Sequence, residues 1–137
     1  MTTETRTTMP ARRAYKRAAI SALPFMSPKR DNRLINRRDF WRVQPTDDYV
    51  QACEIGREYA AHFVQYMKDN PGAAGENTLG HIAAAIDFAD ESRAKGYWVG
   101  FFSHLERLIY EKAQQLDVFA ETDRISAHYE QLAAGGD

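Results

Sequence analysis

Apolar side chains recur at helical spacing through the C-terminal two thirds of this chain. The first series lies between Tyr49 and Met67 and consists of Tyr49, Cys53, Gly56, Ala60, Phe63 and Met67. Residues three or four positions apart share one face of a helix, so the series predicts a long amphipathic helix. Thr46 is expected to cap its start, with Asp47 and Asp48 in the first turn, and Asn70-Pro71-Gly72 is expected to end it.

Three further helices follow in the same pattern. The second is predicted to begin at Asn77 or Thr78 and to end at Gly96, in the left-handed conformation that often closes a helix. Its inner face consists of Leu79, Ile82, Ala83, Ile86 and Ala89. The third is predicted from Tyr97 to Leu116, and its broad apolar face predicts a central position. A short fourth helix, capped by Thr122 and Asp123, carries Ile125, His128, Tyr129 and Leu132.

Gly100 lies inside the third predicted helix. Glycine there costs about 1 kcal/mol relative to alanine, which is acceptable where another backbone comes close. Strand signals are confined to Leu34-Ile35 and Phe40–Val43. The sequence therefore predicts an all-α fold: a small helical bundle of three main helices plus a short C-terminal helix, with a basic, largely irregular N-terminal extension.

The N-terminal extension has a different pattern. Residues 1–9 are polar and are expected to be disordered. Pro10 can begin a short helix over residues 10–23, whose weak apolar face would need a partner or the body of the protein to form. Pro24 and Pro28 end it, and residues 27–39 resemble a linker. Phe40-Trp41 is expected to attach the extension to the body.

Charge divides the chain at the same place. Residues 1–42 contain eleven Lys and Arg against three acids, a net charge of +8, whereas residues 43–137 contain seven against sixteen, a net of −9. We therefore expect a basic N-terminal arm over residues 1–42 and an acidic helical domain over residues 43–137. Clustered cations attract anionic partners, and the acidic body is itself one possible partner.

Enzyme motifs are absent from the sequence. The histidines His62, His81, His104 and His128 belong to no metal-ligand pattern, and AGENTLG lacks the spacing and lysine of a phosphate-binding loop. We expect no catalytic residue, no metal and no cofactor. Glu54 and Glu58 lie one turn apart, so a charged partner on that face is conceivable. The lone Cys53 excludes an internal disulfide and favours a reducing, cytoplasmic location.

These observations favour a non-enzymatic protein whose arm contacts the phosphate backbone of DNA or RNA. Arginine outnumbers lysine in the arm, which suits bidentate phosphate contacts, and aromatic rings could stack on bases. The candidate nucleic-acid-binding residues are Arg12, Arg13, Lys16, Arg17, Arg30, Arg33, Arg37, Arg38 and Arg42, with Tyr15 and Trp41 as stacking groups.

Other interpretations of the same charges remain open. The acidic body could mimic nucleic acid or bind a basic protein, as an adaptor or inhibitor of the kind that phages and plasmids encode. The wide face of the third helix could be shared between copies in a homo-oligomer. The basic, Ser/Thr-rich N-terminus also fits a mitochondrial transit peptide. No stretch is long enough and apolar enough to predict a membrane span.

Overall fold

The computed structural model describes residues 9–26 and 41–135, and these residues form helices and connecting segments without a strand. The helices are α1 (Tyr49–Asp69), α2 (Thr78–Ala84), α3 (Gly96–Ala113) and α4 (Val118–Ala134). Single 3₁₀ turns occur at Ile20–Ala22, Pro71–Gly75 and Arg93–Lys95. The predicted all-α class is confirmed. None of the helices in the described part of the chain is long and apolar enough to cross a bilayer.

The chain divides into two compact units, Met1–His104 and Leu105–Asp137, and the boundary falls within α3. The first unit contains α1, α2 and the core. The second contains the end of α3 and all of α4. The predicted division at residues 42 and 43 is one of charge, and as a domain boundary it stays a prediction.

Helix α1 begins at Tyr49, and its N-cap is Asp48, two residues after the predicted cap Thr46. The Asp48 side chain accepts a hydrogen bond from the Gln51 N–H, while Thr46 accepts one from the Asp48 N–H. Asp48 is therefore the cap and Thr46 positions it. The buried face of the helix consists of Ala52, Ile55, Gly56, Tyr59, Ala60, His62, Phe63 and Tyr66.

Glycines bring the backbones of α1 and α3 together. A Cβ atom at Gly100 would lie 2.0 Å from the carbonyl oxygen of Cys53, and one at Gly56 would lie 2.0 Å from that of Tyr97. At Gly96 it would lie 2.7 Å from the carbonyl oxygen of Tyr49. Only glycine permits this approach, so the condition that makes Gly100 acceptable within the helix is met. The contact extends over about two turns of α1 and about one turn of α3.

Aromatic rings fill the space beside this contact. Phe25 is fully buried, stacks on Trp41 at 5.2 Å between ring centroids, and meets the edge of Phe101 at 5.5 Å. The indole N–H of Trp41 donates to the carbonyl oxygen of Ile82 at 2.8 Å. Trp41 therefore attaches the chain to the body as expected, whereas Phe40, like Leu34-Ile35, lies outside the described residues. Trp41 has a φ of 131°, which a bulky side chain rarely adopts.

The predicted end of the second helix is wrong. Helix α2 ends at Ala84, because the Asp87 and Asp90 side chains accept hydrogen bonds from the N–H groups of Ala89 and Ser92 and so favour turns. Gly96 is right-handed (φ −54°, ψ −30°) and begins α3 instead of ending α2.

The fourth helix is also longer than predicted. Asp117 caps it by accepting a hydrogen bond from the Ala120 N–H, so Thr122 lies inside the helix and donates its hydroxyl to the carbonyl oxygen of Val118. The C-terminal helix is thus 17 residues long, and the predicted caps Thr122 and Asp123 belong to its second turn.

The glycine contact predicts the effect of a single methyl group. In an ordinary helix Gly→Ala stabilises, but in Gly100→Ala the new Cβ meets a backbone oxygen that cannot move without displacing α1. We expect the free energy of unfolding to fall by about 3 kcal/mol, measured by urea denaturation. Gly72→Ala is the matched control because its Cβ meets nothing within 4 Å. Equal stability of the two variants would contradict the close contact.

Candidate nucleic-acid interface

The N-terminal segment, residues 9–26, carries four of the predicted phosphate-binding cations and no acid. It lies along α1, and side chains at the end of that helix hold its backbone. The Tyr15 N–H donates to Asp69 Oδ2 at 2.7 Å, and Asn70 Nδ2 donates to the Tyr15 carbonyl oxygen at 2.7 Å. The predicted helix over residues 10–23 does not form, since these bonds occupy backbone groups that a helix would need.

A tight turn follows this anchor. The Ala18 N–H donates to the Tyr15 carbonyl oxygen at 2.9 Å, which places Lys16 and Arg17 at the tip of the turn. Arg17 has a φ of 61°, in the left-handed region, and its N–H donates to Asn70 Oδ1 at 3.2 Å. Both tip side chains are exposed. The turn therefore presents two adjacent cations to solvent.

Tyr15 is the buried anchor of the segment. Its ring is 1% exposed and meets the rings of His62 and Tyr66 edge to face at 5.7 and 6.2 Å between centroids. The hydroxyl lies 2.5 Å from His62 Nδ1. Burial raises the pKa of the Tyr15 hydroxyl, so it stays protonated and can donate to the imidazole.

His62 lies between the hydroxyl of Tyr15 and the carboxylate of Glu58. Its Nε2 atom is buried, has no hydrogen-bond partner in the described part of the chain, and lies 3.5 Å from Glu58 Oε2. Burial lowers the pKa of His62, and the nearby Glu58 carboxylate opposes that shift. A neutral imidazole with its proton on Nε2 fits both neighbours, because Nδ1 then accepts from Tyr15 while Nε2–H faces the carboxylate.

Arg12 completes this polar cluster. Its Nε and Nη2 atoms donate to the two Glu58 oxygens at 2.6 and 2.8 Å, a bidentate pair. The hydrogen bond from Arg12 lowers the pKa of Glu58. Glu58 thus has a charged partner, which the sequence left open for the face of Glu54 and Glu58, and the partner comes from the chain's own N-terminal segment.

Two shallow cavities lie beside the Arg12–Glu58 pair. One, of about 270 Å³, is lined by Arg12, Arg13, Glu58, Ala61, His62 and Gln65. The other, of about 260 Å³, is lined by Met9, Arg12, Glu54, Arg57, Glu58, Ala61 and His104. No group of three or more metal-ligating side chains occurs within residues 9–26 and 41–135. Both cavities are lined by arginine and glutamate side chains together with apolar ones.

The candidate nucleic-acid-binding residues that the structure describes separate into three groups. Arg13, Lys16 and Arg17 are exposed and form no salt bridge with any residue that the structure describes, and the Arg13 guanidinium lies 4.9 Å from the centre of the Tyr15 ring. Arg12 is paired with Glu58, and the backbone N–H of Arg42 donates to the Phe25 carbonyl oxygen. Tyr15 and Trp41, expected to stack on bases, are instead in contact with the protein's own rings. Arg30, Arg33, Arg37 and Arg38 lie outside the described residues.

Sequence reasoning missed the residues that hold the segment in place. Asn70 was assigned only to the end of α1 and Asp69 was given no role, although a polar pair at a helix end is also a common place for side chains to bind a passing backbone. His62 was assigned to the surface, although it shares a face with Phe63 and Tyr59 and is 3% exposed. Its position four residues after Glu58 was the available signal.

The contribution of the Tyr15 hydroxyl to stability can be tested by removing it. Tyr15→Phe keeps the ring but leaves His62 Nδ1 buried without a donor, so we expect the free energy of unfolding to fall by about 1–3 kcal/mol. Tyr110→Phe makes the same change on an exposed side chain and should fall within about 0.5 kcal/mol of the wild type. Chemical denaturation of both variants makes the comparison. Equal effects would show that the buried hydrogen bond contributes nothing.

His62 also predicts a pH dependence. Its pKa in the folded protein lies below its ordinary value of about 6.5, so protons bind the unfolded chain more readily. The wild type should therefore be most stable above pH of about 6.5 and lose stability as the pH falls through the folded pKa. The lowered pKa of Glu58 acts in a lower window, below about 4.5.

The pH effect is measured as the free energy of unfolding between pH of about 7.5 and 5. His62→Gln should flatten the dependence in this window, whereas His81→Gln, on an exposed side chain, should leave it unchanged. A His62→Gln variant that retains the slope of the wild type would show that another group titrates there.

The chain was compared with models of known protein families, with curated protein sequences and with solved structures, and it matches none of them.

Proposed function

We propose that this protein binds the phosphate backbone of nucleic acid through its N-terminal segment, without catalysis. One observation carries the proposal: the residues that attach the segment to the body are different from the residues whose charges are exposed. Its uncharged residues Tyr15, Leu23, Phe25 and Met26 are buried and attach it to the body. Arg13, Lys16 and Arg17 remain in solvent without a carboxylate partner among the described residues.

Salt bridges within the protein neutralise only part of the positive charge of residues 9–26. Arg12 forms the one salt bridge found between residues 9–26 and the acids that the structure describes, with Glu58. Lys16 also lies near Asp69 and contributes to lowering that residue's pKa, after the hydrogen bonds from Tyr15 and Gln65. Three cations with no acid among them leave a local positive field, which attracts polyanions and increases the rate of encounter.

The anchored turn also lowers the cost of binding. A disordered basic tail loses conformational entropy when it settles on a phosphate backbone. Here the backbone of Lys16 and Arg17 is already fixed by the turn and by Asn70. Only the side chains need to be ordered, so adjacent phosphates can be contacted at less cost.

Contacts of this type are independent of base sequence. Phosphate contacts position a protein on a duplex but carry no sequence information, and they release counterions. The two aromatic residues that could have stacked on bases are used inside the protein. We therefore expect comparable affinity for different sequences and a steep loss of affinity with salt.

The experiment measures binding to a fluorescent duplex DNA and a single-stranded RNA of about 20 residues, by anisotropy, between about 25 and 200 mM KCl. The variant Arg13→Gln/Lys16→Gln/Arg17→Gln should bind more weakly, and its plot of log affinity against log salt should be shallower by about 2–3.

The matched control removes three exposed cations elsewhere, as Lys95→Gln/Arg107→Gln/Lys112→Gln. It has the same net charge as the test variant, so a purely global charge effect would weaken both alike. Equal loss in the two variants, or no binding by the wild type at about 25 mM KCl, would reject the N-terminal segment as the interface. Preference for RNA or DNA would decide which nucleic acid is the ligand.

A further inference from the structure

Helix α4 contains no buried residue although it is 17 residues long. Five of its larger apolar side chains are between 43% and 82% exposed: Val118, Phe119, Ile125, Tyr129 and Leu132. An isolated helix of this length is marginal in water, and most helices are stabilised by packing of an apolar face. Such a face left in solvent over a whole helix is typical of an interaction surface.

The spacing of these residues is that of a helix that packs on another helix. Val118, Thr122, Ile125, Tyr129 and Leu132 follow one another at intervals of four, three, four and three residues. This is the heptad spacing of helix pairs, in which the side chains of one helix fit between those of the other. Phe119, Ser126 and Ala133 widen the face on one side without adding a charge.

We propose that this face of α4 is a dimer interface, in which it packs against α4 of a second copy of the chain. A heptad face is complementary to itself, so the same surface serves both partners in a two-fold arrangement. The five exposed apolar side chains present roughly 600 Å² per copy, so a symmetric pair buries roughly 1,200 Å², which reaches the size of stable protein interfaces.

Charge selects an antiparallel arrangement. The start of α4 carries Asp117, Glu121, Asp123 and Arg124, which leave a net negative charge although Arg124 forms a salt bridge with Glu121. A parallel pair would place the acidic start of one copy beside that of the other. An antiparallel pair separates them, places Glu121 near His128 of the second copy, and sets the two helix dipoles in opposition.

The interface differs from the one that the sequence indicated. Of the α3 face that the sequence indicated as a possible oligomer surface, Phe101 and Leu105 are buried, whereas Ile109 and Leu116 are exposed; as an oligomer surface it stays a prediction. The inference concerns residues of the second unit alone. It is independent of nucleic-acid binding, so either proposal can fail without the other.

The test makes the same substitution at two exposed phenylalanines, one in α4 and one outside it. Phe119 in α4 is 82% exposed, and Phe88, in the loop after α2, is 76% exposed. In sedimentation equilibrium at concentrations from about 1 to 200 μM, the wild type and Phe88→Glu should be dimeric at the upper end. Phe119→Glu and Ile125→Glu should raise the dimer dissociation constant about 100-fold or more.

Circular dichroism must show unchanged helix content in Phe119→Glu, so that loss of the dimer is not loss of the fold. A wild type that stays monomeric at about 200 μM would overturn the proposal, and the face would then be assigned to a different protein. Equal dissociation of Phe119→Glu and Phe88→Glu would overturn it as well.

Cross-linking tests the direction of the helices. In a Cys53→Ala background, Val118→Cys and Leu132→Cys are prepared separately and then mixed under mild oxidation. An antiparallel pair places position 118 opposite position 132, so a mixed disulfide should predominate over the two like pairs. Predominance of like pairs would contradict the antiparallel arrangement, and no disulfide at all would contradict the α4 interface.

Discussion

The contact between the backbones of α1 and α3 is the constraint on which the first unit depends. Gly56 and Gly100 each face a carbonyl oxygen of the other helix at a distance where no Cβ atom fits. Two helices this close leave no room for side chains between them, so the large rings of Tyr59, Phe63 and Phe101 are displaced to the side of the contact. The aromatic core therefore lies where the N-terminal segment can reach it.

The N-terminal segment is consequently part of the fold and not a separate tail. Phe25 completes the aromatic core, stacked on Trp41, and Tyr15 enters a second buried position beside His62. The buried side chains of Tyr15 and Phe25 are both uncharged, so the charged side chains of the segment remain at the surface. Arg13, Lys16 and Arg17 remain at the surface without a salt bridge among the described residues, and Asp69 near Lys16 is the carboxylate that holds the segment's backbone. The same packing that stabilises the unit thus prepares a small cationic surface.

The Arg12–Glu58 pair links the two properties. It neutralises one arginine of the segment and gives His62 a carboxylate neighbour. Since His62 is buried and uncharged at neutral pH, protonating it disturbs both the Tyr15 hydrogen bond and the charge balance at Glu58. Dimers formed through α4 would carry two such cationic surfaces. Two linked surfaces on one nucleic acid bind more tightly than either alone, provided that both can reach it.

Much of the fold could be predicted from the sequence. Apolar spacing located the four helices of the described residues because side chains three or four positions apart share one face of a helix, and the charge pattern placed the cations on the N-terminal extension. Gly100 was acceptable in its helix on condition that another backbone comes close, and that condition is met. Errors came where side chains compete locally with the backbone: Asp87 and Asp90 end α2 early, and Asp117 begins α4 early.

Sequence alone determined roughly where the helices of the described body lie, which residues are charged, and that the N-terminal part and the rest of the chain have opposite charge, because periodicity and composition are local properties. Only the tertiary structure decided which of those charges remain available. Tyr15 and Arg12 contact residues more than forty positions away, and such pairings depend on how helices pack. The packing assigned Tyr15 to the interior, Trp41 to a half-buried contact with Phe25, Arg12 to Glu58, and Arg13, Lys16 and Arg17 to the solvent.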